Sequence, residues 1–485
     1  MRLSPSTSDS SPSALWTVII IALGGITYLS LFYFGVALEL MLLVVVLTLA
    51  ALYVGSRPAY SVVFLVIFVS IFLNTANYTF FAYSAEGNRT GMSAESRLLV
   101  LMRLPLVFFA VAIVLVRYGA DYFHFLRKNW DACIFSVLPF VSVVFALDRF
   151  VALQYAVWFF LAIHTILAFL YLLGTHIPSR QWSEHAAWLL LSAYILTVIL
   201  AVAGLRNYYG GVLTPSFADT NIHAKACAVV VAAILILVQQ QRTPMASRFL
   251  RKIPFILLLG VGAVAVLTLL LGAKRSPILG VGITLVLYTF SGSFGGKGKI
   301  GANVLRTVFL VGALVFVAWQ VLPQAEVTMS RFEKTFDPSR DGSTQERLEI
   351  WRNAMTTIKA NPAVGVGLDN GRQASESFAA TSGVAGYGLH NTYLAVLVEM
   401  GLLGAFFFLV VLIRSFNLWR TRCSKSLKWT IVLLACTPLL LGMVEYNLTP
   451  GQFMFWPIWI VILFPRIGLV GTSPTEKSSS RSISS

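Results

Sequence analysis

The chain has 485 residues, 57% hydrophobic and only 12% charged, with a formal net charge of +16. Apolar runs long enough to cross a hydrocarbon core of about 30 Å recur along it, which excludes a water-soluble globular protein. Their continuous Leu, Val, Ile and Phe content excludes strand-built spans. Four cysteines without paired spacing (Cys133, Cys227, Cys423, Cys436) indicate neither a disulfide framework nor a zinc site.

In chain order, the polar, Ser/Pro-rich residues 1–14 are expected to form a cytoplasmic tail. No small-residue cleavage site follows the next apolar run, so that run is expected to be a retained helix rather than a signal peptide. Spans are predicted near 15–34, 37–55, 59–75, 98–117, 131–147, 151–174, 186–204, 223–239, 253–271, 277–291 and 303–322, making residues 15–322 a first block of transmembrane helices. Residues 323–390 are expected to be a large periplasmic loop domain containing short helices. Further spans near 391–413, 429–445 and 451–466 make residues 391–466 a C-terminal transmembrane block, and 467–485 reads as a disordered cytoplasmic tail. The predicted fold class is therefore all-α, a polytopic membrane protein of about 12–14 transmembrane helices.

With the N-terminus inside, "RYGADYFHFLRKNW" (117–130), "QQRTPMASRFLRK" (240–252) and "RSFNLWRTRCSKSLK" (414–428) become cytoplasmic connections. Lys and Arg collect in such connections, so the positive charge is a consequence of topology and requires no nucleic acid. Within the large loop, "STQERLEIWRNAMTTIKA" places Leu348, Trp351, Ala354, Met355 and Ile358 at helical spacing, with Ser343 or Thr344 as a cap. "NPAVGVGLDNG" (361–371) follows as turn material. One or two short helices resting on the outer face of the membrane are expected here.

Of six histidines, only His223 and His390 fall at the outer boundary in this topology. A lone histidine is more often structural than functional, but His390 is followed by Asn391 and by a span carrying Gly401 and Gly404, three apart where close helix packing is favoured. Glu399 lies about 12 Å farther along that helix, inside the apolar zone, where an acid is either functional or paired with an arginine such as Arg103. Arg206 sits where one span emerges on the outer side, and Lys274 and Arg275 occupy a tight outer turn. Cations there suit a bound phosphate group, and they equally suit snorkelling to lipid phosphates. "SFADTNIHAKA" crowds Asp219, Asn221, His223 and Lys225 at a span start, either lining a cavity or capping a helix. His223, Arg347, Asn391 and Glu399 are supporting candidates. "GSFGGKGKIG" is not a phosphate loop, because Gly298 follows Lys297 where Ser or Thr is needed.

His390-Asn391, nine residues, Gly401, two residues and Gly404 resemble the pattern His, Asn/Ser/Gln, nine of any kind, Gly, two of any kind, Gly of the O-antigen ligase and polymerase superfamily. The architecture is also similar: about a dozen helices and a large periplasmic loop ending at the histidine. The superfamily includes protein O-oligosaccharyltransferases. The resemblance implies an undecaprenyl-diphosphate-linked glycan donor, transfer on the periplasmic side of the bacterial inner membrane, and no cofactor or metal. It implies lipid A-core, or a second glycan, as acceptor. By position His390 matches the family's essential histidine, while Arg206 and Arg275 match the arginines that hold the diphosphate; Lys274, in the same turn as Arg275, is a further diphosphate-binding candidate. A polymerase using the same donor, a protein-glycosylating relative and a lipid or glycan transporter are the competing readings.

Overall fold

The computed structural model describes residues 59–76, 94–203, 208–209, 212–213, 220–241, 246–271, 275–292, 342–371, 373–374, 389–424, 427–435 and 454–470. The expected spans at 15–34, 37–55 and 303–322 lie outside these residues. Inside a bilayer, backbone N–H and C=O groups must pair within the segment, so the apolar runs fold as helices. They are α1 (Ala59–Ala76), α2 (Ala94–Lys128), α3 (Trp130–Val143), α4 (Arg149–His176), α5 (Trp182–Ala203), α6 (Thr220–Gln241), α7 (Arg248–Lys252), α8 (Phe255–Leu271), α9 (Arg275–Gly292), α10 (Gly342–Ala360), α11 (Thr392–Arg422) and α12 (Phe455–Leu463). A further helical run covers 427–435, and 3-10 turns cover Ser179–Gln181 and Phe464–Leu469. Among the described residues four helices are long and apolar enough to cross a membrane. The protein is an all-helical, polytopic membrane protein.

Two predicted boundaries shift. α2 continues to Lys128 and α11 to Arg422, so much of what the sequence assigns to cytoplasmic connections is helix. Neither extension contains a proline, and the i→i−4 ladder simply runs on into polar sequence. Residues Tyr208–Tyr209 and Val212–Leu213 form an unexpected two-residue antiparallel ladder, Tyr208 opposite Leu213 and Tyr209 opposite Val212. The intervening Gly210-Gly211 is the sequence signal that announces such a hairpin.

α4 is the central helix, with 89% of its apolar window buried, and it packs against α1, α2, α3 and α12. α3 packs against both α4 and α11, with Phe135 at the centre of a ring cluster that includes Phe159, Phe408 and Trp459. α5, α6, α8 and α9 form a second group, and α1 bridges the two by contacting both α4 and α5. On α11 the residues Leu402, Phe406, Leu409, Ile413 and Phe416 are exposed and apolar at helical spacing, the signature of a lipid-facing stripe.

The loops separate into two ends. At one, Asp131 is buried and accepts Arg466 through both guanidinium ends at 2.8 and 2.7 Å, and Arg414 at 3.0 Å. Arg466 also donates to Asn129 and Ser415, so α3, α11 and the Phe464–Leu469 turn meet on one carboxylate. Glu184 accepts from Ser247, and Thr430 donates to Ser183, at the same kind of connection. At the other end Asn370 accepts from the Asp148 amide at 2.8 Å, uniting the α3–α4 turn with the segment before α11. Removing Asp131 leaves two guanidinium groups facing one another with no carboxylate between them. Asp131→Ala is therefore expected to cost about 3 kcal/mol or more. The check is the melting temperature of the purified protein in detergent, where an unchanged value would mean that this junction carries no stability.

Candidate functional site

His390 stands immediately before α11. Asn391 caps that helix, its side-chain oxygen accepting the amides of Tyr393 and Leu394, both at 3.0 Å. Capping satisfies two of the four donors that a helix start leaves orphaned. Asn391→Ala should therefore lower stability by about 1 kcal/mol, readable as a small drop in melting temperature. No drop would show that another acceptor takes over the helix start.

His390 itself is half-buried and adopts a left-handed backbone, φ 46°. That conformation is uncommon for a residue with a Cβ, and it turns the chain out of the helix direction just before the cap. The carbonyl of Leu389 accepts the indole N–H of Trp351 at 3.1 Å. The imidazole is thus carried by a backbone held from both sides.

α10 is one helix of 19 residues, and its buried face differs from the predicted one. Ile350, Ala354 and Thr357 are buried and Trp351 and Ile358 half-buried, whereas Leu348 and Met355 are exposed. Trp351 meets the residue before His390, while Pro362 and Ala363, just past the end of α10, meet α11 at Leu402 and Leu403. α10 therefore runs alongside the first half of α11, in the same direction, instead of lying across its end. Arg347 is half-buried on α10, one turn before Trp351.

The structure corrects the reading of Gly401. It does not lie on a continuous helical face: its φ of 66° and ψ of −167° break α11 in two. In an intact helix the amides of Leu402 and Leu403 would bond the carbonyls of Val398 and Glu399. Instead they donate to Pro362 (2.8 Å) and Ala363 (3.1 Å), while Val398 and Glu399 accept from Val366 and Gly367, both at 3.0 Å. The 361–371 strap has inserted into the ladder, and all four groups remain paired. The approach is backbone to backbone. A Cβ on Gly401 would lie 2.5 Å from the Ala363 carbonyl, and one on Gly365 (φ 72°) would lie 2.4 Å from the Glu399 carbonyl carbon. Gly404 faces Met400 of its own helix, where a Cβ would meet the Met400 Cβ at 2.2 Å.

Glu399 is corrected as well. It is 1% exposed and its carboxylate accepts the Gly371 amide at 3.3 Å. Its carbonyl bonds Gly367, against which Ala146 of the α3–α4 turn and Ala152 in the first turn of α4 pack, and Asn370 is bonded to Asp148. Glu399 is therefore level with the interhelical turns, not midway through the bundle, and the exposed apolar stripe of α11 begins only at Leu402. The part of α11 between His390 and the break, about 15 Å long, stands as a platform above that stripe.

Of the expected phosphate-binding cations, Arg206 and Lys274 lie outside the described residues. Arg275 opens α9 and His223 lies in the first turn of α6, with both side chains outside the described set. The strap and the break were missed by sequence reasoning. The only available signal was the Gly spacing of "GVGLDNG" opposite a glycine inside an apolar helix.

The curated proteins offer no match to the chain. Residues 259–409 match the family model for O-antigen ligase. The matched segment contains Lys274, Arg275, Arg347, the whole of the strap, His390, Asn391, Glu399, Gly401 and Gly404, and leaves Arg206 and His223 outside it. Within an all-helical, polytopic bundle, the chain thus carries a segment, residues 259–409, that is similar to the O-antigen ligase family.

Proposed function

We propose that the protein transfers a glycan from an undecaprenyl diphosphate carrier to a sugar hydroxyl of lipid A-core, on the periplasmic side of the bacterial inner membrane. The observation that carries this reading is the placement of His390 within the family-matched segment. The residue is half-buried, at the head of a capped helix and on a backbone braced from α10. In this orientation the Asp148 end of the bundle is periplasmic and the basic Asp131 end cytoplasmic, as expected where Lys and Arg are retained inside.

The acceptor hydroxyl oxygen attacks the anomeric carbon of the donor. The bond from that carbon to the diphosphate oxygen breaks, and its electron pair leaves with the lipid diphosphate. The acceptor proton passes to His390, since imidazole is the side chain best matched to proton transfer near neutrality. Diphosphate is already a good leaving group, so the remaining requirement is charge neutralisation, assigned here to Arg206, Lys274 and Arg275. Asn391 holds the helix start, and Glu399 with Gly401 holds the strap.

Loss of the protein should leave full-length glycan on the lipid carrier and bare core at the cell surface. Accumulation of single repeat units would instead make it a polymerase, and glycan missing from protein alone would make it a protein O-oligosaccharyltransferase. Arg275→Ala should raise the KM for the lipid-linked donor by tenfold or more, since a charge-assisted phosphate contact is worth roughly 1.5–3 kcal/mol. An unchanged KM would return Arg275 to a lipid-headgroup contact.

A further inference from the structure

We propose that Trp351 is a positioning residue for His390, acting through the Leu389–His390 peptide by donating its indole N–H to the Leu389 carbonyl. The inference rests on the assignment of His390 as the base and adds a residue of the loop domain to the transfer machinery.

A left-handed, non-glycine residue persists only where its surroundings over-determine it. On the C-terminal side of His390 the surroundings are the Asn391 cap. On the N-terminal side they are the peptide that precedes it, whose oxygen takes the Trp351 N–H at 3.1 Å across 38 residues of chain. Leu389 is 2% exposed and packs near Gly371, so its side chain is also confined. Trp351 in turn is fixed by α10, whose Ile350 and Ala354 are buried and whose end is tied into α11 by the strap. The indole bond closes this frame at the level of the imidazole. Rotating the Leu389–His390 peptide would swing the imidazole relative to the acceptor hydroxyl. A base must stand within about 2.6–3.2 Å of the proton it takes. Misplacement by about 1 Å can cost a hundredfold in rate. A half-buried tryptophan supplies packing and one donor together, which phenylalanine cannot.

The test removes the donor and keeps the ring. Trp351 is replaced by Phe and, separately, by benzothienylalanine, in which sulfur stands where the indole N–H was. The full-length protein is assayed in detergent with lipid-linked glycan and lipid A-core. The expected result is a fall in kcat of about tenfold, the size of one hydrogen bond, with KM for the donor unchanged and the melting temperature of the benzothienylalanine protein unaltered. In a His390→Asn background the same replacement should produce no additional loss, because two changes acting through one group are not additive. Wild-type kcat in the benzothienylalanine protein would overturn the proposal. So would parallel losses of kcat and melting temperature, or an equal fold-loss in the His390→Asn background. Full transfer by His390→Asn alone would instead remove the base assignment, a separate outcome read without touching Trp351.

Discussion

Replacing His390 with Asn is expected to reduce glycan transfer by about 10²–10⁴-fold while leaving the helical content and the melting temperature nearly unchanged. The size follows from the loss of a positioned proton acceptor. The preserved fold follows from two bonds that the replacement leaves in place: the Leu389 carbonyl still accepts the Trp351 indole, and the Asn391 side chain still caps α11. Asn is the informative replacement because it tolerates the left-handed backbone that His390 adopts at φ 46°. Ala at this position would add a conformational cost to the loss of the base. The measurement is transfer from purified lipid-linked glycan to lipid A-core in detergent, with circular dichroism on the same sample. Transfer within threefold of wild type would end the role of His390 as base.

The second large effect is predicted at Gly401. Gly401→Ala places a Cβ 2.5 Å from the Ala363 carbonyl, in a backbone region that is nearly restricted to glycine. Conformational strain costs about 1–3 kcal/mol, and forcing an atom into a packed contact costs a similar amount, so the strapped form should lose roughly 2–6 kcal/mol. Alanine is at the same time a strong helix former. The expected response is that α11 closes its own ladder, Leu402 to Val398 and Leu403 to Glu399, and expels the strap. Limited proteolysis and hydrogen exchange should then show residues 361–371 opened, while the Asp131 junction at the opposite end keeps its protection. Because the strap also carries α10, transfer should fall with it. A Gly401→Ala protein with a protected strap and full transfer would show that the break is not required. Gly365→Ala, on the other side of the same crossing, should have the same effect, since its Cβ meets the Glu399 carbonyl carbon at 2.4 Å.

These two effects differ in how far they could be foreseen. His390 was legible because its signals are local: a polar stretch ends, Asn391 offers a cap, and an apolar run begins at once. The break at Gly401 was not, because the groups that replace the missing helical bonds come from Pro362, Ala363, Val366 and Gly367, more than thirty residues earlier in the chain. A glycine in an apolar helix reads the same whether it faces a neighbouring helix or admits a strap. Glu399 was placed too deep for a related reason. Counting residues from the helix start gives distance along an axis, but only contact with the α3–α4 turn gives the level at which that axis stands.

The sequence by itself determined that this protein is an all-helical membrane bundle, that helix begins just after His390, and that His390 opens a motif resembling that of the O-antigen ligase superfamily. Those properties depend on composition, on runs of apolar residues and on capping, which act over a few neighbouring residues. Only the tertiary structure decided that α10 lies along α11, that Ile350 and Thr357 rather than Leu348 and Met355 face inward, and that the strap completes the ladder at Gly401. Each of these is a pairing between distant segments. Its free energy comes from satisfying backbone groups and burying surface between them, which no single segment specifies alone.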